Sequence, residues 1–152
     1  MSTTDRIEKQ IVLRAPPSRV WHAVSDADEF GTWFRCKLES PFRAGATVRG
    51  HITYPGYEHL KMELRIERIE PERLLSFRWH PYAVDPDVDY SAEPTTLVEF
   101  RLEAADGGGT LLTILESGFD QIPPSRRDLA FRMNDGGWTE QAQNLQRHVS
   151  ST

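Results

Sequence analysis

Between Thr47 and Leu115 the chain alternates apolar and polar residues at period two in a series of short runs, and a sustained helical period begins only after Pro123. Leu60, Met62, Leu64 and Ile66 alternate with Lys61, Glu63, Arg65 and Glu67. Leu75, Phe77 and Trp79 alternate with Ser76, Arg78 and His80, and Val98, Phe100 and Leu102 with Glu99, Arg101 and Glu103. Such alternation marks strands with one buried face. Val48, Ile52 and Tyr54 keep the same period, whereas Leu111 to Leu115 is apolar on both faces apart from Thr113, which predicts a strand covered on both sides. Pro55-Gly56, Pro71-Glu72 and Asp106-Gly107-Gly108-Gly109 read as turns, and connections of hairpin length predict an antiparallel sheet. A polar, proline-marked loop runs from Pro81 to Pro94.

Helices flank this set. Ile7, Ile11 and Leu13 alternate with Glu8, Gln10 and Arg14 as a first strand, and Lys9, which breaks the pattern, predicts an edge strand or a strand end. Pro16-Pro17-Ser18 opens a helix whose apolar side is Val20, Trp21 and Val24. Asp26 caps a second short helix carrying Phe30, Trp33 and Phe34, which Gly31 limits to about two turns. Pro123-Pro124-Ser125 starts a final helix, predicted over Ser125–Val149, with Leu129, Met133, Trp138, Ala142, Leu145 and Val149 near one stripe. Gly136 and Gly137 in its middle cost about 1 kcal/mol each relative to alanine. The pair is therefore expected where the helix bends or where the sheet comes too close for a side chain. One long helix has to bury its stripe on the inner face of the sheet. The expected fold is α+β, with a curved antiparallel sheet of about six to seven strands around a long C-terminal helix, in one domain over residues 6–150.

Composition removes several classes of function. The 152 residues are 38% hydrophobic and 27% charged, with a net charge of −5. That balance suits a soluble folded domain and supplies no basic stripe for nucleic acid. No stretch approaches the roughly 20 apolar residues of a membrane span. The N-terminus lacks the apolar core of a secretory signal, and Cys36, the only cysteine, can form no intrachain disulfide, so a cytoplasmic location is expected.

The order of elements is that of the START-like, helix-grip arrangement. Pro16-Pro17-Ser18-Arg19-Val20-Trp21, Trp33-Phe34, Gly109-Thr110 leading to Glu116-Ser117-Gly118-Phe119, and Gly136-Gly137-Trp138 with Asn144-Leu145 resemble the activator of heat-shock-protein-90 ATPase homologue family, a branch of the START-like superfamily. The resemblance runs from about Ile7 to Val149 and implies the helix-grip fold. It also implies a range of roles, because START-like domains include lipid carriers, hormone receptors, polyketide cyclases and co-chaperones.

A sheet bent around one helix leaves space at one end. Trp33, Phe34, Phe77, Trp79, Met133 and Trp138 are the candidates to line it, with Tyr54 and Arg78 as polar contacts at its edge. Glu116 ends an apolar strand on the face shared by Leu112 and Ile114. It is read first as a strand-end carboxylate that caps a turn or pairs with an arginine, and second as an acid of the pocket itself. Cys36 is expected to be a buried structural thiol. The five histidines, His22, His51, His59, His80 and His148, lack metal-ligand spacing. Asp85, Asp87 and Asp89 look like the start of a calcium loop, but Tyr90 and Thr96 stand where glycine and glutamate are required, so a solvated acidic loop, a candidate flap over the pocket mouth, is the better account. No metal is expected. No cofactor is expected either, for there is no glycine-rich dinucleotide turn and no iron–sulfur cysteine set.

These features lead to a non-catalytic binding module for a small apolar molecule or lipid. The first rival is an enzyme of cyclase or hydrolase type using the same pocket, with Glu116 or Tyr54 as acid–base. The second is a co-chaperone-like interaction module with a chaperone as partner.

Overall fold

The computed structural model describes residues 6–85 and 87–150. The strand β1 (Arg6–Leu13) leads into α1 (Pro17–Ser25) and α2 (Ala27–Phe34). There follow β2 (Cys36–Leu38), β3 (Thr47–Ile52), β4 (Lys61–Glu70), β5 (Leu74–Trp79), β6 (Thr96–Ala104) and β7 (Thr110–Ser117), and then α3 (Pro124–Ser150). The strands form a seven-stranded sheet in the order β1-β7-β6-β5-β4-β3-β2, with every neighbouring pair antiparallel. This is the predicted α+β helix-grip arrangement.

Period two places Leu64, Ile66, Leu75, Phe77, Phe100 and Leu112 in the core, each at most 1% exposed. β7 is buried on both faces as predicted, and on its outer face Gln10 donates from Nε2 to Thr113 at 3.2 Å. β1 is an edge strand, and the structure explains its anomalous lysine. Lys9 shares the inward parity of Ile7 and Ile11, and its Nζ lies 2.9 Å from Asp135 on α3. The break in the apolar pattern is thus a charged tie between the sheet edge and the helix.

The short helices follow local rules. The Asp26 side chain accepts from the Glu29 N–H at 2.9 Å as the cap of α2. A Cβ on Gly31 would stand 2.3 Å from the Cys36 carbonyl oxygen, so glycine lets α2 lie directly against β2. The same argument fails for the glycines of α3. A Cβ on Gly136 or Gly137 would meet nothing within 4 Å, and α3 continues through both. The expected close approach of the sheet is absent there.

Both ends of the loop after β5 are tied to α3. Arg126, in the first turn of α3, donates to Glu93 at 2.9 Å and to the carbonyls of Pro81 and Tyr82 at 3.0 and 3.1 Å. Its guanidinium also lies 4.8 Å from the centre of the Tyr90 ring.

At the other end of α3, Glu29 collects partners from two helices. It meets Arg19 and His22 of α1 and, at 2.8 Å, His148 of α3. Burial works to raise the proton affinity of the Glu29 carboxyl. Hydrogen bonds from His148, Arg19 and His22, with the charge of Arg19, outweigh it and hold the group below its ordinary value of 4.5. A carboxyl lowered on folding contributes stability above its unfolded value, and that stability is lost as pH falls through the folded value. Glu29→Gln is therefore expected to cost about 1–3 kcal/mol at neutral pH. The difference from wild type should shrink once the pH drops below 4.5. Urea denaturation of both proteins from neutral pH into the acid range measures it.

Candidate functional site

Glu116, the last residue but one of β7, is paired with Ile7 on β1 and Val98 on β6 and is completely buried under α3. A carboxylate taken out of water needs hydrogen-bond donors. Four side chains supply them. Trp79 of β5 donates from Nε1 at 2.7 Å, Thr96 of β6 from Oγ1 at 2.5 Å and Trp138 of α3 from Nε1 at 2.8 Å. Asn134 of α3 donates from Nδ2 to both oxygens, at 3.0 and 3.2 Å. The four donors are neutral groups. Among the described residues no buried side-chain nitrogen or oxygen lacks a partner. Among the described residues Glu116 thus pairs with no arginine, which corrects that half of the first reading of it.

This carboxylate orients the rings around it. With their N–H groups aimed at one point, Trp79 and Trp138 stack with centroids 5.6 Å apart and planes 26° from parallel. Phe34, from the end of α2, meets both edge-on at 6.2 Å. Beside these rings lies a pocket of about 130 Å³, open to solvent and lined by Phe34, Trp79, Asn134, Gly137, Trp138 and Gln141. Gly137 is one of its walls, and the space its side chain would fill belongs to the cavity. The Gln141 amide is held at both ends, donating to the Phe34 carbonyl at 3.1 Å and accepting from Asn144 at 3.1 Å.

The predicted residues divide into three groups. Phe34, Trp79 and Trp138 line the cavity, and Glu116 lies behind two of those rings. Trp33 and Phe77 are core residues. Trp33 is 4% exposed and donates to the Ala23 carbonyl at 2.8 Å, while Phe77 is fully buried between Trp79 and Phe100. Tyr54 and Met133 are surface residues, at 49% and 44% exposed. Tyr54 falls past the end of β3, where the period-two pattern stops describing a strand, and its ring packs on Tyr57 and under Arg35. Met133 falls off the buried face because α3 buries Ala130, Trp138, Ala142, Leu145 and Val149. In the intervening turn, the inward residue is the polar Asn134. Arg78 points the other way, to Glu67 at 3.0 Å.

Asn134, Thr96 and Gln141 were missed from sequence. The available signal was spacing, since Asn134 stands four residues from both Ala130 and Trp138 and so on their face. Elsewhere, an open depression of about 230 Å³ between α2 and β2 includes Cys36 in its wall. Burial pushes that thiol up to about 12, which removes its nucleophilic form at neutral pH. Among the described residues no three His, Cys, Asp or Glu side chains are grouped to hold a metal ion.

A family model described as Activator of Hsp90 ATPase homolog 1-like protein matches residues 14–150. No curated protein matches the sequence. Among solved structures, protein MLL2253 from Mesorhizobium loti is 21% identical, with 97% of this chain and 98% of that one covered at a TM-score of 0.75. The Aha1 dimer from Colwellia psychrerythraea is 14% identical, with 95% of each chain covered at a TM-score of 0.70. DynU16, from the dynemicin biosynthetic locus, is 22% identical, with 96% of this chain and 47% of that one covered at a TM-score of 0.70. The chain thus spans about half the length of DynU16. At these identities the likeness shows the fold.

Two stability outcomes follow from the site. Glu116→Gln turns an amide NH₂ toward groups that are themselves donors, and is expected to cost about 2–4 kcal/mol in chemical denaturation. Gly136→Ala and Gly137→Ala, in contrast, are each expected to stabilise the protein by up to about 1 kcal/mol, since the helix gains propensity and the new methyl meets no atom.

Proposed function

The chain belongs to the Activator of Hsp90 ATPase homolog 1-like family, and from that premise we propose that it is a small-molecule-binding module. Its site is the cavity between α3 and the sheet, and it holds an apolar ligand without reacting with it. One observation carries the reading: the N–H edges of both cavity tryptophans are consumed by Glu116. What those rings offer the cavity is apolar surface, which is how ligand pockets are generally walled. At about 130 Å³ the pocket is somewhat smaller than the closed cavity of about 150 Å³ that holds one benzene-sized ring, and its open mouth lets such a ring seat in part.

The same carboxylate argues against the enzymatic reading. A general base needs a free lone pair within reach of substrate, and the two Glu116 oxygens already accept hydrogen bonds from four side chains. Tyr54, the other acid–base candidate, is half exposed and outside the cavity wall. The likeness to a protein of a biosynthetic locus accords with a small-molecule role.

The test is a thermal-shift and fluorescence titration with small aromatic compounds and short acyl chains. Two of the four tryptophans line the cavity, so a bound ligand is expected to change the emission. At a hundredfold excess over Kd it should add about 2.7 kcal/mol of stability. Trp79→Ala is expected to weaken the binding, read from the thermal shift and from the emission of Trp138. A panel that gives no saturable response from the wild type overturns the reading in favour of an interaction module with a chaperone partner.

A further inference from the structure

The cavity has one polar feature whose sense is fixed. Asn134 lines it, and the Asn134 Nδ2 donates to both oxygens of Glu116. A carboxylate only accepts, so the opposite amide orientation would set oxygen against oxygen. The nitrogen is therefore turned toward Glu116, and Oδ1, an acceptor, lies on the other side of the amide. Among the described residues that oxygen accepts no hydrogen bond, whereas Gln141 donates one N–H to the Phe34 carbonyl and accepts from Asn144, keeping a second N–H, and the two indole N–H groups are spent on Glu116. The cavity thus combines aromatic walls with one unpaired acceptor.

We propose that this site selects flat aromatic molecules that carry a hydrogen-bond donor, phenols and indoles as a class, and that Asn134 is the residue that selects them. The inference rests on the binding-module reading above. A ring that fills the cavity takes water away from Oδ1. If it brings an O–H or N–H, the bond is replaced; if it brings none, a desolvated acceptor is left unpaired. A carboxylate ligand is worse placed, because it would meet an acceptor backed by the Glu116 carboxylate, whose four donors include no cation. Gly137, three residues along the same helix face, leaves room for a ring beside Asn134.

The experiment compares phenol, toluene and benzoate, which share one ring and differ at one substituent, by fluorescence titration of the full chain. Phenol is expected to bind at least about tenfold tighter than toluene, and benzoate at least about tenfold weaker than either. Asn134→Leu keeps the size and removes the acceptor, so it should erase the preference for phenol while toluene still binds. It also removes a donor from Glu116. Gly137→Ala serves as the companion variant, since its methyl meets no atom, and it should weaken phenol and toluene together and preserve their ratio. If Asn134→Leu does not fold, the wild-type series decides. Toluene binding as tightly as phenol, benzoate binding comparably, or a phenol preference that survives in Asn134→Leu overturns the donor rule and leaves the pocket reading intact. If none of the three ligands binds at any soluble concentration, the donor rule falls, and the wider panel of aromatic compounds and acyl chains decides the pocket reading.

Discussion

Burying Glu116 removes a carboxylate from water. The fold offsets that cost by bringing donors from β5, β6 and α3 to one point at the end of β7. The rest of the arrangement depends on this convergence. A helix held to a sheet by Ala130, Ala142, Leu145 and Val149 alone presents a smooth stripe that could be seated one turn higher or lower. Asn134 and Trp138, one turn apart and aimed at the same carboxylate, admit one seat, because any other would take two donors away from the buried Glu116. Fully satisfied polar networks in a low-dielectric core give this kind of uniqueness, and partly satisfied ones are costly.

The same logic extends along α3, whose apolar stripe is thin for a helix of 27 residues. Polar ties stand in for the missing apolar area. Arg126 fastens the first turn to the loop after β5, Asp135 takes Lys9 from β1, and His148 reaches Glu29. Gln146 accepts from the Arg14 N–H at 3.1 Å and donates to the Val12 carbonyl at 3.0 Å, closing the end of β1 onto the helix. The grip is therefore partly a matter of hydrogen bonds at chosen points, and the gap the rings leave is tolerated because the helix does not rely on continuous packing.

This division explains what could be read in advance. Strands, turns and helix starts are local matters of period two, proline and capping, and they were legible together with the fold. The family resemblance pointed the same way. The site was legible only where it is apolar. Phe34, Trp79 and Trp138 announce themselves as large rings at inward positions, but so do Trp33 and Phe77, and nothing local distinguishes a ring that walls a cavity from one that fills the core. Asn134 was invisible to a hydrophobic period because its inward placement is justified by Glu116, 18 residues away in sequence. Met133 was drawn into the stripe because it is apolar, when the phase of the helix gives that place to its polar neighbour. Partnerships between distant polar groups leave no periodic trace.

The two margins of the sheet have a consequence of their own. A sheet that ends in unpaired backbone is a template on which another polypeptide can lay a strand. Here one margin is β2, three residues long and backed by α2 through the close approach at Gly31. The other is β1, longer, but with an ion pair between Arg6 and Glu8 on one face and Lys9 drawn by Asp135 toward the opposite one. A foreign strand gains few backbone bonds at the first margin and meets charge on both sides of the second. Growth of the sheet from molecule to molecule is thereby discouraged at both margins.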